Sequence, residues 1–312
     1  MTKRIELAVT AWASRSGWQA AELCGQAEVA ESMGFHSFWL PENHFGDQRS
    51  IPSPLTLLAA VAARTDRIKL GSTSYLLTIR HPLQAAEEVA VLDQLSSGRV
   101  ILGVGRGVQN AMFQAFELPT KDKRKRFQKN LDIMLNAWSG SPILEDEDGK
   151  PVFLAPLPVQ RPYPTIWVAA FGPLALKQAG NLGMPYLASP IETLATLKDN
   201  YQLYHNVVEE AGLEPVKTIP VMRTIFITDN KTLAAKVKSA LDNAGPHTMR
   251  DEKAGVDDWV IVGDNKFVFD KLQEYAEQLD ISHLIARGRI PGIDNETQIT
   301  SHEKLISIVN SL

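Results

Sequence analysis

Short apolar runs alternate along this chain with longer stretches in which apolar residues return every three or four positions. The short runs suit buried strands and the longer period suits helices packed on them, so the pattern predicts a parallel sheet with helical crossovers. Residues 5–9 predict the first strand. Ala20, Leu23, Cys24, Ala27 and Ala30 share one face of the helix expected next, and Gly34 is placed to end it. Residues 37–40 predict the second strand, 54–63 a helix and 68–75 the third strand. After His81, Pro82 suits a first helical turn, and Leu83, Ala86, Val89, Leu92 and Leu95 recur on one face. Residues 100–104 read as a fourth strand, apolar on both sides as a strand covered on both faces requires.

The second half repeats the rhythm. A helix over 126–138 leads through a proline-rich excursion at 141–164 to a strand at 166–169. Pro173 opens another helix, 186–187 reads as a short strand, and 191–211 as a long helix. A seventh strand is expected at 219–227, a helix at 231–244, an irregular segment at 245–264, a helix at 266–279 and the last strand at 282–286. Eight strands with no linker of disordered composition predict an α/β fold. The expected form is a single (β/α)8 TIM barrel over residues 1–312 with insertions at its C-terminal face. A doubly wound open sheet is the alternative.

Composition narrows the function more than the fold. With 44% hydrophobic and 22% charged residues, the chain reads as a soluble globular protein with a substantial core. A formal net charge of −4 gives no footprint for nucleic acid or an anionic membrane. The opening MTKRIELAVTAW runs into a strand-like segment without a signal-peptide h-region, and no run approaches the roughly 18 apolar residues of a spanning helix, so a cytoplasmic location is expected. Cys24 is the one cysteine, which excludes an intrachain disulfide and a cysteine-based zinc site. His36, His205, His247, His283 and His302 lack partners at metal spacing, and no metal site is expected.

Several strings could carry chemistry, and each also has a plain structural reading. Gly103-Val104-Gly105-Arg106-Gly107 lacks the third glycine of a dinucleotide fingerprint, since Val108 stands where it is needed. It suits a generic phosphate seat, with backbone N–H groups in close reach and a guanidinium fork from Arg106, or equally a glycine-rich turn with a surface arginine. At the end of the second strand, Glu42 and His44 stand two apart and can point the same way, a carboxylate orienting an imidazole. The alternative is a histidine satisfied at a loop end. Gly71-Ser72-Thr73-Ser74-Tyr75 is small and hydroxylated where its neighbours are aliphatic, which suits either a ligand lying on backbone or an ordinary strand end. Ala170-Phe171-Gly172-Pro173 offers N–H groups at a helix start as a second anion contact. Arg287 and Arg289 follow the eighth strand, as substrate contacts or as surface charges near Asp294 and Glu296. The basic run KDKRKRFQK at 121–129 reads as a solvated helix start. Residues 46–54, 141–164 and 245–264 are the candidate lids.

Three strings, GFHSFWLPENHF at 34–45, HPLQAAEEVAVLDQLSSGRVILGVGRG at 81–107 and PTIWVAAFGPLALKQAGNLGMP at 164–185, closely resemble the luciferase-like flavin monooxygenases. The resemblance implies a TIM barrel, usually a dimer, with FMN or a deazaflavin at the C-terminal face. By position, Arg106 would hold the flavin phosphate between Gly105 and Gly107, helped by backbone around Phe171 and Gly172. Thr73-Ser74 falls where the family often has a non-proline cis peptide beneath the flavin ring, and Tyr75 would line that ring. Glu87, Asp93 and Arg99 match positions that support the helix-to-strand turn. One departure stands out. Luciferases read Glu-His-His after strand two, with the first histidine catalytic, and here that position is Asn43. Asn43 donates and accepts hydrogen bonds but takes up no proton near pH 7.

The resemblance implies an enzyme of the class that uses reduced FMN and O2 to oxidise a small organic substrate, a carbonyl compound among the candidates. Glu42, Asn43 and His44 would be its catalytic group, and a separate NAD(P)H:flavin reductase its partner in a homodimeric assembly. A hydride-transferring oxidoreductase that uses the deazaflavin coenzyme F420 is the first alternative. A flavin-binding accessory subunit with little catalysis of its own is the second, motivated by Asn43. Substrate identity is not legible in the chain, because pocket linings in barrels come from loops.

Overall fold

The computed structural model describes residues 4–12, 20–46, 50–244 and 254–312; parts of two candidate lids, 47–49 and 245–253 with His247, lie outside the described residues. In chain order the strands are β1 (Glu6–Thr10), β2 (Ser37–Leu40), β3 (Lys69–Ser72), β4 (Tyr75–Leu76), β5 (Val100–Gly105), β6 (Leu144–Glu145), β7 (Pro151–Val152), β8 (Thr165–Ala169), β9 (Tyr186–Leu187), β10 (Pro220–Ile227), β11 (Val260–Gly263) and β12 (His283–Arg287). The α-helices are α1 (Ala20–Ser32), α2 (Pro54–Ala62), α3 (Pro82–Leu95), α4 (Asn110–Ala115), α5 (Lys123–Trp138), α6 (Pro173–Asn181), α7 (Leu194–Glu210), α8 (Lys231–Ala244), α9 (Asn265–Leu279) and α10 (Asn295–Val309). The fold is α/β. Its chain divides into two compact units, Trp39–Ala169 and Met1–Phe38 with Ala170–Leu312.

In the unit Trp39–Ala169, β5 is the central strand. It pairs in parallel with β3 through Leu70 and Val100 and with β8 through Gly103 and Trp167. The expected third strand is divided: the Thr73–Ser74 peptide is cis, and β4 resumes pairing on β5 with Leu76 opposite Gly105. All six residues of β5 are buried, which accounts for its unbroken apolar run. Arg99 donates to the carbonyls of Ala62, Thr65, Ile68 and Ser96, and Asp93 accepts from the Gln160 main-chain and side-chain N–H groups. These charges spend themselves on turn backbone, so they hold the helix-to-strand corner, while Glu87 is exposed. Trp138 is fully buried and its indole N–H donates to the Ala86 carbonyl at 3.0 Å, fastening α5 to α3. Burial of an aromatic of this size contributes on the order of 4–6 kcal/mol.

In the other unit four parallel strands run in the order β11, β10, β12, β1. One expectation is overturned here. The segment read as irregular contains β11, whose Val260 pairs with Thr224 and whose Gly263 pairs with Ile227. A run of three apolar residues after a turn is too short to register as a strand period, and the pairing with β10 supplies what the local sequence lacks. Helix α10 also escaped the pattern, because its buried face carries Gln298, Ser301 and His302 among its aliphatics. A polar network lies between β9, α7 and β10. The buried Glu192 carboxylate accepts from the Tyr186 hydroxyl at 2.8 Å, the Ser189 N–H at 2.6 Å and Asn200 Nδ2 at 2.7 Å. The wholly buried Arg223 donates to main-chain oxygens of Met222 and Ser189 and to the Tyr275 hydroxyl at 2.7 Å. Among the described residues no helix is long and apolar enough to cross a membrane.

Candidate functional site

The most connected polar group in Trp39–Ala169 is Glu42, just past the end of β2. Its side chain is wholly buried. Oε1 accepts from His44 Nε2 at 2.7 Å and from Arg80 Nη2 at 2.7 Å, and Oε2 accepts from the Leu76 N–H at 2.9 Å. Extended backbone after β2 puts side chains two apart on one side, which is how Glu42 reaches His44. Arg80 lies at the turn ahead of α3. Its Nη1 donates to the Leu76 carbonyl at 2.9 Å, and its guanidinium sits 4.0 Å from the Tyr75 ring centroid. Tyr75 is buried and donates its hydroxyl to Glu88 at 2.7 Å. Burial pushes that hydroxyl far above its ordinary range, with Arg80 pulling the other way, so Tyr75 stays a protonated donor.

The His44 ring meets Phe116 edge-on at 5.2 Å and Phe45 at 6.0 Å between centroids. Phe45 and Phe116 are 57% and 40% exposed, so this end of the imidazole is bordered by open apolar surface. His44 Nδ1 makes no hydrogen bond among the described residues. Asn43 faces elsewhere: its Oδ1 accepts from the Ile51 N–H at 2.8 Å and its own N–H donates to the Ile51 carbonyl at 3.0 Å. The Asn43 amide therefore closes a loop, and only its Nδ2 donors stay available among the described residues.

On the other side of β4 lies Gly105, and then Arg106. A Cβ at Gly105 would collide with the Ser74 side chain, so glycine here lets the Thr73–Ser74 segment lie close against the backbone of β5. Gly107 has φ +71°, and a Cβ there would meet Met112 Cε at 2.8 Å. Arg106 is half-buried, its carbonyl accepts from Thr78 Oγ1 at 2.6 Å, and no carboxylate pairs with its guanidinium among the described residues. Burial and the nearby Arg124 lower its affinity for its proton, and burial and Arg106 do the same to Lys123. Lys123 Nζ rests 4.3 Å from the centroid of Phe113. Cations that lower one another's proton affinity form a donor set suited to an anion such as a phosphate.

In the other unit, Gly172 (φ +80°) caps α6 with Pro173 in its first turn, and Phe171 is 42% exposed. Arg287 and Arg289 are half-buried at and beyond the end of β12. Gly288 between them donates to Thr10 Oγ1 at 2.9 Å. Sequence reading missed Arg80, Glu88, Phe116 and the pair Lys123 and Arg124. Arg80 could have been found as the one cation just before a proline-started helix. Lys123 and Arg124 belong to the basic run taken as a solvated helix start, and most of that run is indeed exposed. Among the described residues no cluster of three or more His, Cys, Asp or Glu side chains is placed to hold a metal ion.

An oriented imidazole and a cationic cluster at Arg106 thus both border β4 in an α/β fold. The model of the luciferase-like monooxygenase family matches residues 7–280, and the chain belongs to that family. It is 30% identical over 192 residues to limonene 1,2-monooxygenase of Rhodococcus erythropolis, covering 59% of this chain and 49% of that protein. It is 29% identical over 178 residues to the oxygenase component of the flavin-dependent trigonelline monooxygenase of Acinetobacter baylyi, covering 54% of this chain and 48% of that protein. The chain thus spans about half the length of these curated relatives. Among solved structures it resembles the oxygenating constituent of 3,6-diketocamphane monooxygenase from Pseudomonas putida, in complex with FMN. That match has a TM-score of 0.81 and 22% identity over 98% of this chain and 97% of that one. An F420-dependent secondary alcohol dehydrogenase matches with a TM-score of 0.79 and 18% identity over 99% of each chain.

Proposed function

We propose that this protein is the oxygenase of a two-component flavin-dependent monooxygenase. In this reading it takes reduced FMN from a separate NAD(P)H:flavin reductase and uses O2 to oxidise a small organic substrate, a carbonyl compound among the candidates. It would act in the cytosol as a homodimer, with residues 1–312 folded as one (β/α)8 domain. The observation that carries the proposal is the placement of two unlike groups around β4. Leu76 donates its N–H to Glu42 and lies opposite Gly105 in the sheet, so the His44 network and the Arg106 seat border the same two-residue strand. Support also comes from the relative named as the oxygenase component of a flavin-dependent monooxygenase, a term that implies a second component.

The residues present suit a flavin phosphate. Arg106 supplies a planar fork of donors, Lys123 and Arg124 add positive charge, and Gly105 and Gly107 permit close backbone approach. Thr73 and Ser74 would lie against the ring. Phe171 and Gly172 would offer the N–H groups of a helix start to an anion. When bound, reduced flavin supplies the two electrons that activate O2. The chain's own residues do the rest: His44 presents Nδ1 to a proton, Glu42 balances the charge that results, and Asn43 Nδ2 is a donor for a substrate oxygen. Phe45 and Phe116 would exclude water from the imidazole once substrate covers them. Tyr75 acts through Arg80 and Glu88, while Arg287 and Arg289 are candidates for a polar group of the substrate.

Lys123 and Arg124 also favour a second reading, in which the cofactor is F420, because positive charge beyond Arg106 suits a longer polyanionic tail. Anaerobic titration with reduced FMN and, separately, reduced F420 decides between them. Micromolar binding of reduced FMN, weakened at least tenfold by Arg106→Ala (about 1.4 kcal/mol), is the expected outcome. Preference for F420 moves the assignment to hydride transfer, and binding of neither removes the flavin reading. Steady turnover by the isolated protein removes the accessory-subunit alternative.

A further inference from the structure

We infer that Arg80 is a positioning residue for His44. By pairing the Glu42 carboxylate it fixes the imidazole as the Nε2–H tautomer and leaves Nδ1 as the acceptor that meets the reactants. The inference rests on the reading of His44 as the proton-handling group.

Glu42 is wholly buried, and each of its partners in the structure is a donor. The Leu76 N–H takes Oε2 at 2.9 Å, while Arg80 Nη2 and His44 Nε2 share Oε1, each at 2.7 Å. A carboxylate only accepts, so the histidine nitrogen that meets it carries the hydrogen. In a neutral imidazole the other nitrogen, Nδ1, is then the free lone pair. A carboxylate that orients a base in this way also stabilises the imidazolium when Nδ1 takes a proton, as in other acid–base sites on unrelated folds. Arg80 is the one cation paired with that carboxylate among the described residues. Its side chain is 18% exposed and held on three sides, by Glu42, by the Leu76 carbonyl and by the Tyr75 ring face. Tyr75 is itself anchored to Glu88, and the Arg80 carbonyl accepts from Asn130 Nδ2 at 3.2 Å. These contacts hold the guanidinium against Glu42. Without it, Glu42 would be a buried carboxylate with no counter-charge. A carboxyl that takes up a proton to escape that state becomes a donor to Nε2, which reverses the tautomer. Arg80 thus decides which imidazole nitrogen is basic without touching a reactant.

The test is long-range 1H–15N correlation NMR near neutral pH on protein labelled with 15N-histidine, with His44→Gln used to assign the signal. The wild type is expected to show His44 protonated on Nε2. Arg80→Met should move the population towards Nδ1–H by at least tenfold, and Arg80→Lys, which keeps the charge, should restore Nε2–H. Should Arg80→Met not fold, Arg80→Gln keeps a donor, drops the charge and gives the same reading. An Nδ1–H signal in the wild type, or an unchanged tautomer in both uncharged variants, overturns the inference. Anaerobic titration of the same samples with reduced FMN separates the two readings. Flavin binding with an unmoved tautomer sinks the positioning role alone. A tautomer that behaves as expected in a protein that binds neither reduced FMN nor reduced F420 supports the positioning role and sinks the flavin function.

Discussion

Two buried carboxylates, Glu42 and Glu192, show how the same chemical group can be given different surroundings. Glu192 is surrounded by neutral donors, and its nearest cation, Arg223, spends its hydrogen bonds on main-chain oxygens and a tyrosine hydroxyl. Each of those partners is itself buried or part of the packed interior, so the network ends in protein. Glu42 is also buried, but one of its donors is an imidazole whose second nitrogen has no partner among the described residues and whose ring borders exposed aromatics. Burial alone therefore does not distinguish the two carboxylates. The useful sign is a satisfied acid with one partner left open at its far end.

The comparison can be broken most forcefully at Glu192. Glu192→Ala strips the acceptor from Tyr186, Ser189 and Asn200 and should cost about 3–5 kcal/mol in urea unfolding. A loss below 1 kcal/mol would mean that this network is not structural.

Next in size is a pH effect at His302 in the same unit. This histidine is buried against Trp12 and Phe35, and Gln298 Nε2 donates to its Nε2 at 2.9 Å. Burial pushes it down to about 4 from an ordinary 6.5. The unfolded chain takes up that proton first, so the contribution is full above 6.5 and is lost as pH falls towards 4. The loss is about 3 kcal/mol. Chemical unfolding across that range should show a steeper acid slope for the native chain than for His302→Leu.

The Glu42 side predicts loss of chemistry in place of stability. His44→Gln should lower turnover of any accepted substrate about 10²-fold, near 2.7 kcal/mol, with reduced-FMN affinity kept within about twofold. Reduced stability with unaffected turnover would place His44 with the structural residues. The smallest effect is expected at Lys123→Ala, where reduced-FMN affinity should fall about threefold by titration, since a partly exposed cation already held over the Phe113 ring contributes little beside Arg106.

How much of this was legible follows from which residues carry each feature. Strand β5 was plain because burial on both faces demands an unbroken apolar run, and α3 because Pro82 and its apolar face agree. β11 and α10 were not, one for its brevity and the other because Gln298, Ser301 and His302 occupy its inner face. In the site, Glu42 and His44 were legible because they stand two apart in extended chain. Arg80 lies 38 residues from Glu42 in number, and no local period links them.

By itself, the chain's order of apolar runs, turns and glycines determined an α/β protein. It also determined where the flexible glycines around Arg106 and the Glu-x-His pair would fall, because these depend on neighbours in sequence. Only the tertiary structure decided which charges meet. It closed Arg80 on Glu42, turned Asn43 away to Ile51, and set Lys123 and Arg124 near Arg106. Electrostatic and hydrogen-bonding partners are chosen by distance in space and by burial, and neither is written in the spacing of residues along the chain.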